Sequence, residues 1–447
     1  MLRIKKNCSI LAALFFCAQV FLACTEPNPS LPIEDITGFQ TIPADSVSSS
    51  AIKDSTDFNT TQKEAVKPDT TAKDSTESDT TKKDTTELHT NSEDGDVVRT
   101  VILGDSTGEL YSGKLYLDYP ADSFLTKFEL GDIVTVAIDG YDTLEMPVAE
   151  SSGDVPIAWF MVSAISGSEN VLLTIHNGLL SDALRIKDLT KPIKVTISMK
   201  KKGGFLFGLE MRYAQYMDYY IENYPELSVE EFANFREVRT TGMGKNKLYR
   251  SSSPIDNCLG RNLKADSLAK EAGVATFINL ADSEESAKSF KGFDSSYYSS
   301  QNAIFLAMPV EFFTRSFQKR LVKGFRFMIE HDGPYLVHCT YGMDRTGFTI
   351  SVLEALMGAT SEDIQADYAK TFSNYYNVVE GRQVPLNEQQ VDFFKNVVTR
   401  NLQAVYHAEK IEVPDIDHAD WATATEKYLR VLGMTPEEVA TLKSKLK

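Results

Sequence analysis

A cysteine and an arginine separated by five residues stand in the run Val337-His338-Cys339-Thr340-Tyr341-Gly342-Met343-Asp344-Arg345-Thr346-Gly347. A thiolate is a nucleophile, and the planar fork of Arg345 suits two oxygens of one phosphoryl group. Phosphoryl transfer asks a protein mainly for positioning and for stabilisation of charge on three equatorial oxygens. If the residues after Cys339 curl into a semicircle, their backbone N–H groups converge on one point and create a site for a dianion. A helix N-terminus and a guanidinium beside a cysteine lower its pKa by roughly one to five units, which supplies the thiolate. Thr340, Tyr341, Gly342 and Met343 then line the phosphate-binding loop. Thr346 is spaced to donate to the thiolate or to a thiophosphate sulfur, and His338 to fix the loop through backbone hydrogen bonds. A carboxyl beside bound phosphate is held protonated by like-charge repulsion, which suits the acid that protonates the leaving oxygen. Asp344, inside the loop beside the arginine, is one such carboxyl.

The elements that must position this loop are legible around it. Tyr335-Leu336-Val337 reads as a buried strand and Phe348 to Met357 as a helix, so the loop lies between strand and helix. Further strands are expected at Val274–Leu280 and Ile304–Val310, and helices at Leu263–Ala272, Phe317–Glu330, Gln389–Tyr406 and Ala422–Leu432. Ser228 with Glu231 and Thr360 with Asp363 have capping-box spacing, and Thr435-Pro436 opens a last helix. The alternation predicts an α/β domain over 205–447, a central, mostly parallel sheet flanked by helices.

With these residues in place, the loop resembles that of the cysteine-dependent protein tyrosine phosphatase superfamily. Asp344 inside it is similar to the bacterial tyrosine/lipid phosphatase branch, where His-Cys-x-x-Gly-Lys-Asp-Arg-Thr-Gly is typical; the resemblance implies Asp344 as the favoured general acid, with Glu311, close to where other branches place an acid on a mobile loop, as the second candidate. Asn234-Phe235-Arg236, Tyr249-Arg250-Ser251, Asp367-Tyr368 and Asn374-Tyr375-Tyr376 extend the resemblance over about 225–447. It implies a phosphomonoester hydrolase working through a phosphocysteine, without cofactor or metal, on a phosphorylated protein or a small phosphomonoester, with dual specificity left open. It also implies that Arg250 is an auxiliary phosphate or substrate contact; a surface ion pair is the other reading of that arginine. Two departures bear on substrate. Met343 stands where the branch has lysine, and Asn279-Leu280-Ala281 where it has Asp-Leu-Arg. Both remove cations, which favours an aryl phosphate over an inositol polyphosphate or phosphoinositide. A non-catalytic phospho-ligand binding or adhesion protein is the alternative of another class.

The rest of the 447 residues carries the domain elsewhere. Arg3, Lys5 and Lys6 precede an apolar run that ends in Phe21-Leu22-Ala23-Cys24, which reads as an export signal over 1–24 and resembles a bacterial lipoprotein signal with Cys24 as the lipidated residue. Residues 25–95 are rich in Thr, Ser, Asp and Lys and too poor in apolar side chains to offset their ordering entropy, the composition of a tether. This places the protein in the cell envelope, lipid-anchored at Cys24 and facing the periplasm or exterior. From 96 to 202, short runs at Gly113–Asp118, Ile133–Ile138, Ala158–Ile165, Val171–Ile175 and Ile193–Met199 predict a small antiparallel sandwich or barrel, and Leu209–Tyr224 a helix after it. A net charge of −17 argues against nucleic acid as a partner. The six histidines show no metal-ligand spacing. Once Cys8 and Cys17 leave with the signal and Cys24 is acylated, Cys258 and Cys339 remain, expected as two independent thiols. Oligomeric state is not readable from these features.

Overall fold

A computed structural model describes residues 97–101, 114–186, 193–211, 221–376, 378–379 and 382–447, all within one compact unit, Leu88–Lys447. The expected signal and tether lie outside the described residues, as does most of the Leu209–Tyr224 helix. On either side of that gap are a short helix, Leu206–Met211, and a single 3₁₀ turn, Ile221–Asn223.

The first part is a seven-stranded sheet built from β1 (Val97–Val101), β2 (Leu115–Leu117), β3 (Ile133–Ile138), β4 (Leu144–Ala149), β5 (Phe160–Ser163), β6 (Val171–Ile175) and β7 (Ile193–Lys201). Their order is β1-β7-β3-β4-β5-β6-β2, and the sheet curls until β1 and β2 approach one another. The expectation of a purely antiparallel arrangement is corrected here, because Val148 and Ala149 of β4 pair in parallel with Val162 and Ser163 of β5. β4 escapes the sequence reading because Pro147 interrupts it. The strand tolerates this proline where its pairing ends with β3 at Ile133 and passes to β5. Alternate residues of β3 face inward, with Val134, Val136 and Ile138 buried.

The second part holds the site. Strands β8 (Arg236–Glu237), β9 (Leu248–Ser251), β10 (Thr276–Asn279), β11 (Asn302–Phe305) and β12 (Tyr335–His338) form a sheet in the order β11-β10-β12-β9-β8. All neighbours are parallel except the edge strand β8. β12 lies between β10 and β9, with Val337 in register with Ile278 and Arg250, so all four of its residues are buried. Helix α1 (Asn262–Glu271) covers the face that carries Tyr249, Phe277 and Leu336. Helices α2 (Arg315–Glu330) and α3 (Asp344–Met357) cover the face with Leu248, Ile278 and Val337. Four more helices, α4 (Ser361–Ser373), α5 (Glu388–Ala408), α6 (Trp421–Val431) and α7 (Pro436–Leu446), pack around α2 and α3. The two expected caps form as capping boxes at Ser228 and Thr360, and Thr435, at the expected start of the last helix, forms a third.

One core runs through both parts, and their polar contacts are specific. Arg185, from the turn before β7, forms an ion pair with the buried Glu409, donates to the Phe313 carbonyl at 3.1 Å, and shares Glu409 with Arg315 and Gln318. Phe160 of β5 meets Phe313 edge to face, ring centres 5.6 Å apart. Removing one member of a buried ion cluster leaves the others desolvated and unpaired. Glu409→Ala is therefore expected to cost about 2–3 kcal/mol and to lower the urea midpoint without changing the slope. An unchanged midpoint would mean the cluster adds no stability.

Candidate active site

β12 ends at His338, α3 begins at Asp344, and the five residues between them bend around one centre. The turn depends on Gly342, whose φ is +67° and whose hypothetical Cβ would sit 2.2 Å from the Ser251 carbonyl oxygen. Glycine alone fits there. The loop carbonyls are drawn outward by four donors from four places in the chain. Ser253 N–H donates to Thr340 O at 3.0 Å, and Tyr375 Oη donates to Tyr341 O at 2.7 Å. Asn234 Nδ2 donates to both Tyr341 O and Gly342 O at 3.2 Å, and Arg250 Nη2 to Gly342 O at 2.9 Å. A trans peptide carries its C=O and N–H on opposite sides. Holding these three carbonyls outward therefore turns the N–H groups of Tyr341, Gly342 and Met343 inward, where the first turn of α3 adds the positive end of its dipole.

The wall behind the loop is a buried ion cluster. Arg250, fully buried, pairs with Asp367 at 2.5 Å and donates to Thr371 Oγ1 at 3.3 Å. Arg236 pairs with the same carboxylate at 2.7 Å and donates to Asn234 Oδ1 at 2.8 Å. Asn374 Nδ2 donates to Asn234 Oδ1 at 3.0 Å. Burial opposes the Asp367 charge, but Arg236 and Arg250 overcome it and hold the carboxyl well below the usual range. Burial, aided by Asp367, pushes neighbouring Glu354 well up, so it is a neutral acid. Arg250 thus takes neither of its two expected places. It is a buried positioning group that touches the loop from behind rather than a substrate contact or a surface pair. Its neighbours Asn234, Arg236, Asp367, Asn374 and Tyr375 lie in motifs visible in the sequence, yet nothing local told of their convergence.

Cys339 is buried at the base of the loop and forms no disulfide with Cys258. Arg345, half-buried on the first turn of α3, donates through Nη1 to the Met308 carbonyl at 3.1 Å, which ties it to the loop after β11. Asp344 is half-buried beside it. Burial pushes its carboxyl up to about 6 against the opposing pull of Arg345. His338 is fully buried, with Nε2 3.2 Å from Tyr298 Oη and Nδ1 3.4 Å from the Cys339 carbonyl. Burial lowers its pKa to about 3, so it stays neutral, an orienting group. Thr346 Oγ1 is buried with no hydrogen-bond partner among the described residues. Met343 is buried, its sulfur 3.8 Å from Tyr376 Oη. Thr340 and Tyr341 are half-buried at the rim, and the Tyr341 ring stands edge-on to Tyr375 at 6.3 Å. Glu311 lies in the β11–α2 loop with no hydrogen bond or ion pair of its carboxylate to the Cys339–Arg345 loop among the described residues. Asp282, which the sequence reading passed over, follows β10 at the same end of the sheet and accepts from Asn279 Nδ2 at 3.0 Å. Burial raises its pKa, against the field of Arg345 nearby. Among the described residues no group of three or more His, Cys, Asp or Glu is arranged to hold a metal ion, and no helix is long and apolar enough to cross a membrane.

Residues 227–447 match the model of the tyrosine phosphatase family. That match supports a tyrosine-phosphatase-type phosphatase in this part of the chain. No curated protein matches the chain. Among solved structures, an uncharacterized conserved protein from Thermotoga maritima is 22% identical, over 23% of this chain and 35% of that one, at a TM-score of 0.19. A likeness of that extent carries no argument about fold or activity.

The Asp344 carboxyl sets a test with a definite sign. Its pKa rises from 3.8 in the unfolded chain to about 6 in the fold. The folded state therefore binds the proton more tightly, and stability falls as pH rises through the interval from about 4 to about 6. Asp344→Asn removes that cost. It is expected to raise unfolding free energy by about 2 kcal/mol at pH 7.5, discounted for partial exposure, and hardly at all at pH 3.5. Equal shifts at both pH values would contradict a buried, proton-retaining carboxyl.

Proposed function

We propose that the chain is a phosphomonoester hydrolase that acts through a phosphocysteine, with phosphotyrosine in proteins as its preferred class of substrate. The observation that carries the reading is the outward capture of the Thr340, Tyr341 and Gly342 carbonyls, which leaves an inward ring of amides above a cysteine. In the first step the Cys339 sulfur attacks phosphorus in line, an S–P bond forms, and the ester P–O bond breaks. Asp344 gives its proton to the leaving oxygen, for which a carboxyl with a pKa of about 6 is suited near neutral pH. Arg345 and the loop amides stabilise the transferring group. In the second step water attacks phosphorus, its proton passes to Asp344, and the S–P bond breaks to return the thiolate. Glu311 is the second choice for the acid and would need its loop to move.

The aryl preference rests on what surrounds the cradle. Position 343 brings a buried thioether rather than a cation, and the half-buried Tyr341 ring offers an aromatic wall at the rim. Cys339→Ser is expected to abolish aryl phosphate hydrolysis. Asp344→Asn is expected to slow esters of poor leaving groups by roughly 10²–10⁴ and those of good ones far less, because only the former need the proton. Uniform slowing would move the acid role to Glu311, and faster turnover of an inositol hexakisphosphate than of an aryl phosphate would overturn the substrate class.

The envelope location is part of the same proposal. An acylated Cys24, a tether over 25–95, a curled sheet over 96–202 and a catalytic part over 205–447 would hold the site off the membrane surface. Cys24→Ala is expected to shift the protein from the detergent-extracted membrane fraction to the soluble one. Membrane retention of that variant would remove the lipid anchor from the account.

A further inference from the structure

Among the described residues Arg261 has no counter-charge. Its side chain is buried to within 1% of complete, and no carboxylate lies within ion-pair distance of it among the described residues. Three rings surround the guanidinium instead, Tyr375 at 4.1 Å, Phe232 at 4.3 Å and Tyr224 at 5.0 Å. Nη1 donates to the Phe232 carbonyl and, at 3.5 Å, to that of Asn374, while Nη2 is buried with no hydrogen-bond partner among the described residues. Ring faces attract a cation but do not neutralise it, and an unpaired buried charge is expensive. A retained charge of this kind implies an anion elsewhere in its field.

The surroundings say where. The ring nearest to Arg261 is Tyr375, and the hydroxyl of that ring holds the Tyr341 carbonyl of the phosphate loop. Burial pushes the Tyr375 hydroxyl up to about 12, and that hydroxyl senses both Arg261 and Cys339, with opposite signs. Tyr375 therefore links the two, its ring against Arg261 and its hydroxyl on the loop that begins at Cys339. Asp367, the carboxylate behind the loop, is already taken by Arg236 and Arg250.

We propose that Arg261 is a positioning residue whose counter-charge is the phosphoryl dianion held in the Cys339–Arg345 loop, so that it tightens anion binding through the protein rather than by touching the substrate. The inference rests on the phosphatase reading of the loop. It differs from the structural alternative, a guanidinium that only packs three rings together, in depending on charge.

The experiment uses the full-length protein carrying Cys339→Ser, so that no thiolate competes with the ligand, and titrates inorganic phosphate by calorimetry. Adding Arg261→Gln, which keeps a hydrogen-bond donor but no charge, is expected to weaken phosphate binding about tenfold, the equivalent of roughly 1.4 kcal/mol. Adding Arg261→Lys instead is expected to keep the dissociation constant within about threefold of the parent, following the retained charge. Equal affinity in the parent and the Gln variant would overturn the proposal, as would equal loss in Gln and Lys. Should the Gln variant not fold, the ¹⁵N side-chain signal of Arg261 in the parent is the second readout. A shift of that signal on adding phosphate supports the proposal, and its absence overturns it. Phosphate binding that depends on Arg261, in a protein whose unmutated form hydrolyses no phosphomonoester, would sink the catalytic reading and leave the anion role standing. A parent that binds no phosphate would sink both.

Discussion

The structure depends on one constraint of the peptide bond. A backbone cannot present several N–H groups to a single point unless the carbonyls attached behind them are satisfied elsewhere. Here those carbonyls are satisfied by Ser253, Asn234, Arg250 and Tyr375, which come from widely separated parts of the chain. Each donor is itself fixed. Asn234 is held by Arg236 and Asn374, Arg250 by Asp367 and Thr371. The Cys339–Arg345 loop is thus the visible face of a larger buried hydrogen-bond network.

Electrostatics follow from the same burial. The space behind and beside the loop holds Arg236, Arg250 and Asp367 as a compensated cluster, with Glu354 neutral next to it. His338 is deprived of its charge by burial, so it adds no second cation beneath Cys339. Asp344 is pushed by burial toward the protonated form. Low dielectric makes each of these choices sharp, because a charge without a partner there costs several kcal/mol.

The curled sheet is part of this arrangement rather than a bystander. Its Arg185 and Phe160 both contact Phe313, in the loop between β11 and α2. That loop also offers the Met308 carbonyl that holds Arg345, while Phe312 stacks on Phe348 of α3 at 4.4 Å. A continuous path of packed side chains and hydrogen bonds therefore leads from β5 and the turn before β7 to the first turn of α3.

Much of this was legible in the residues alone, where the signal is local. The Cys339–Arg345 spacing, the strand before it and the helix after it, the capping boxes at Ser228, Thr360 and Thr435, and the α/β alternation all express short-range rules of periodicity and end-capping. Helix α3 starts four residues earlier than its apolar pattern announces, at Asp344, because Gly347, a poor helix former, lets the helix approach Tyr368, where a Cβ would lie only 2.5 Å from the ring. Strand β4 was hidden by Pro147, and its parallel partner could not be guessed, since pairing is a choice among distant segments. The buried place of Arg250 and the three rings that face Arg261 were likewise decided only in three dimensions. Whether a guanidinium meets water, substrate, carboxylate or three aromatic rings is set by what the fold carries to it from a hundred residues away, and no spacing along the chain encodes that.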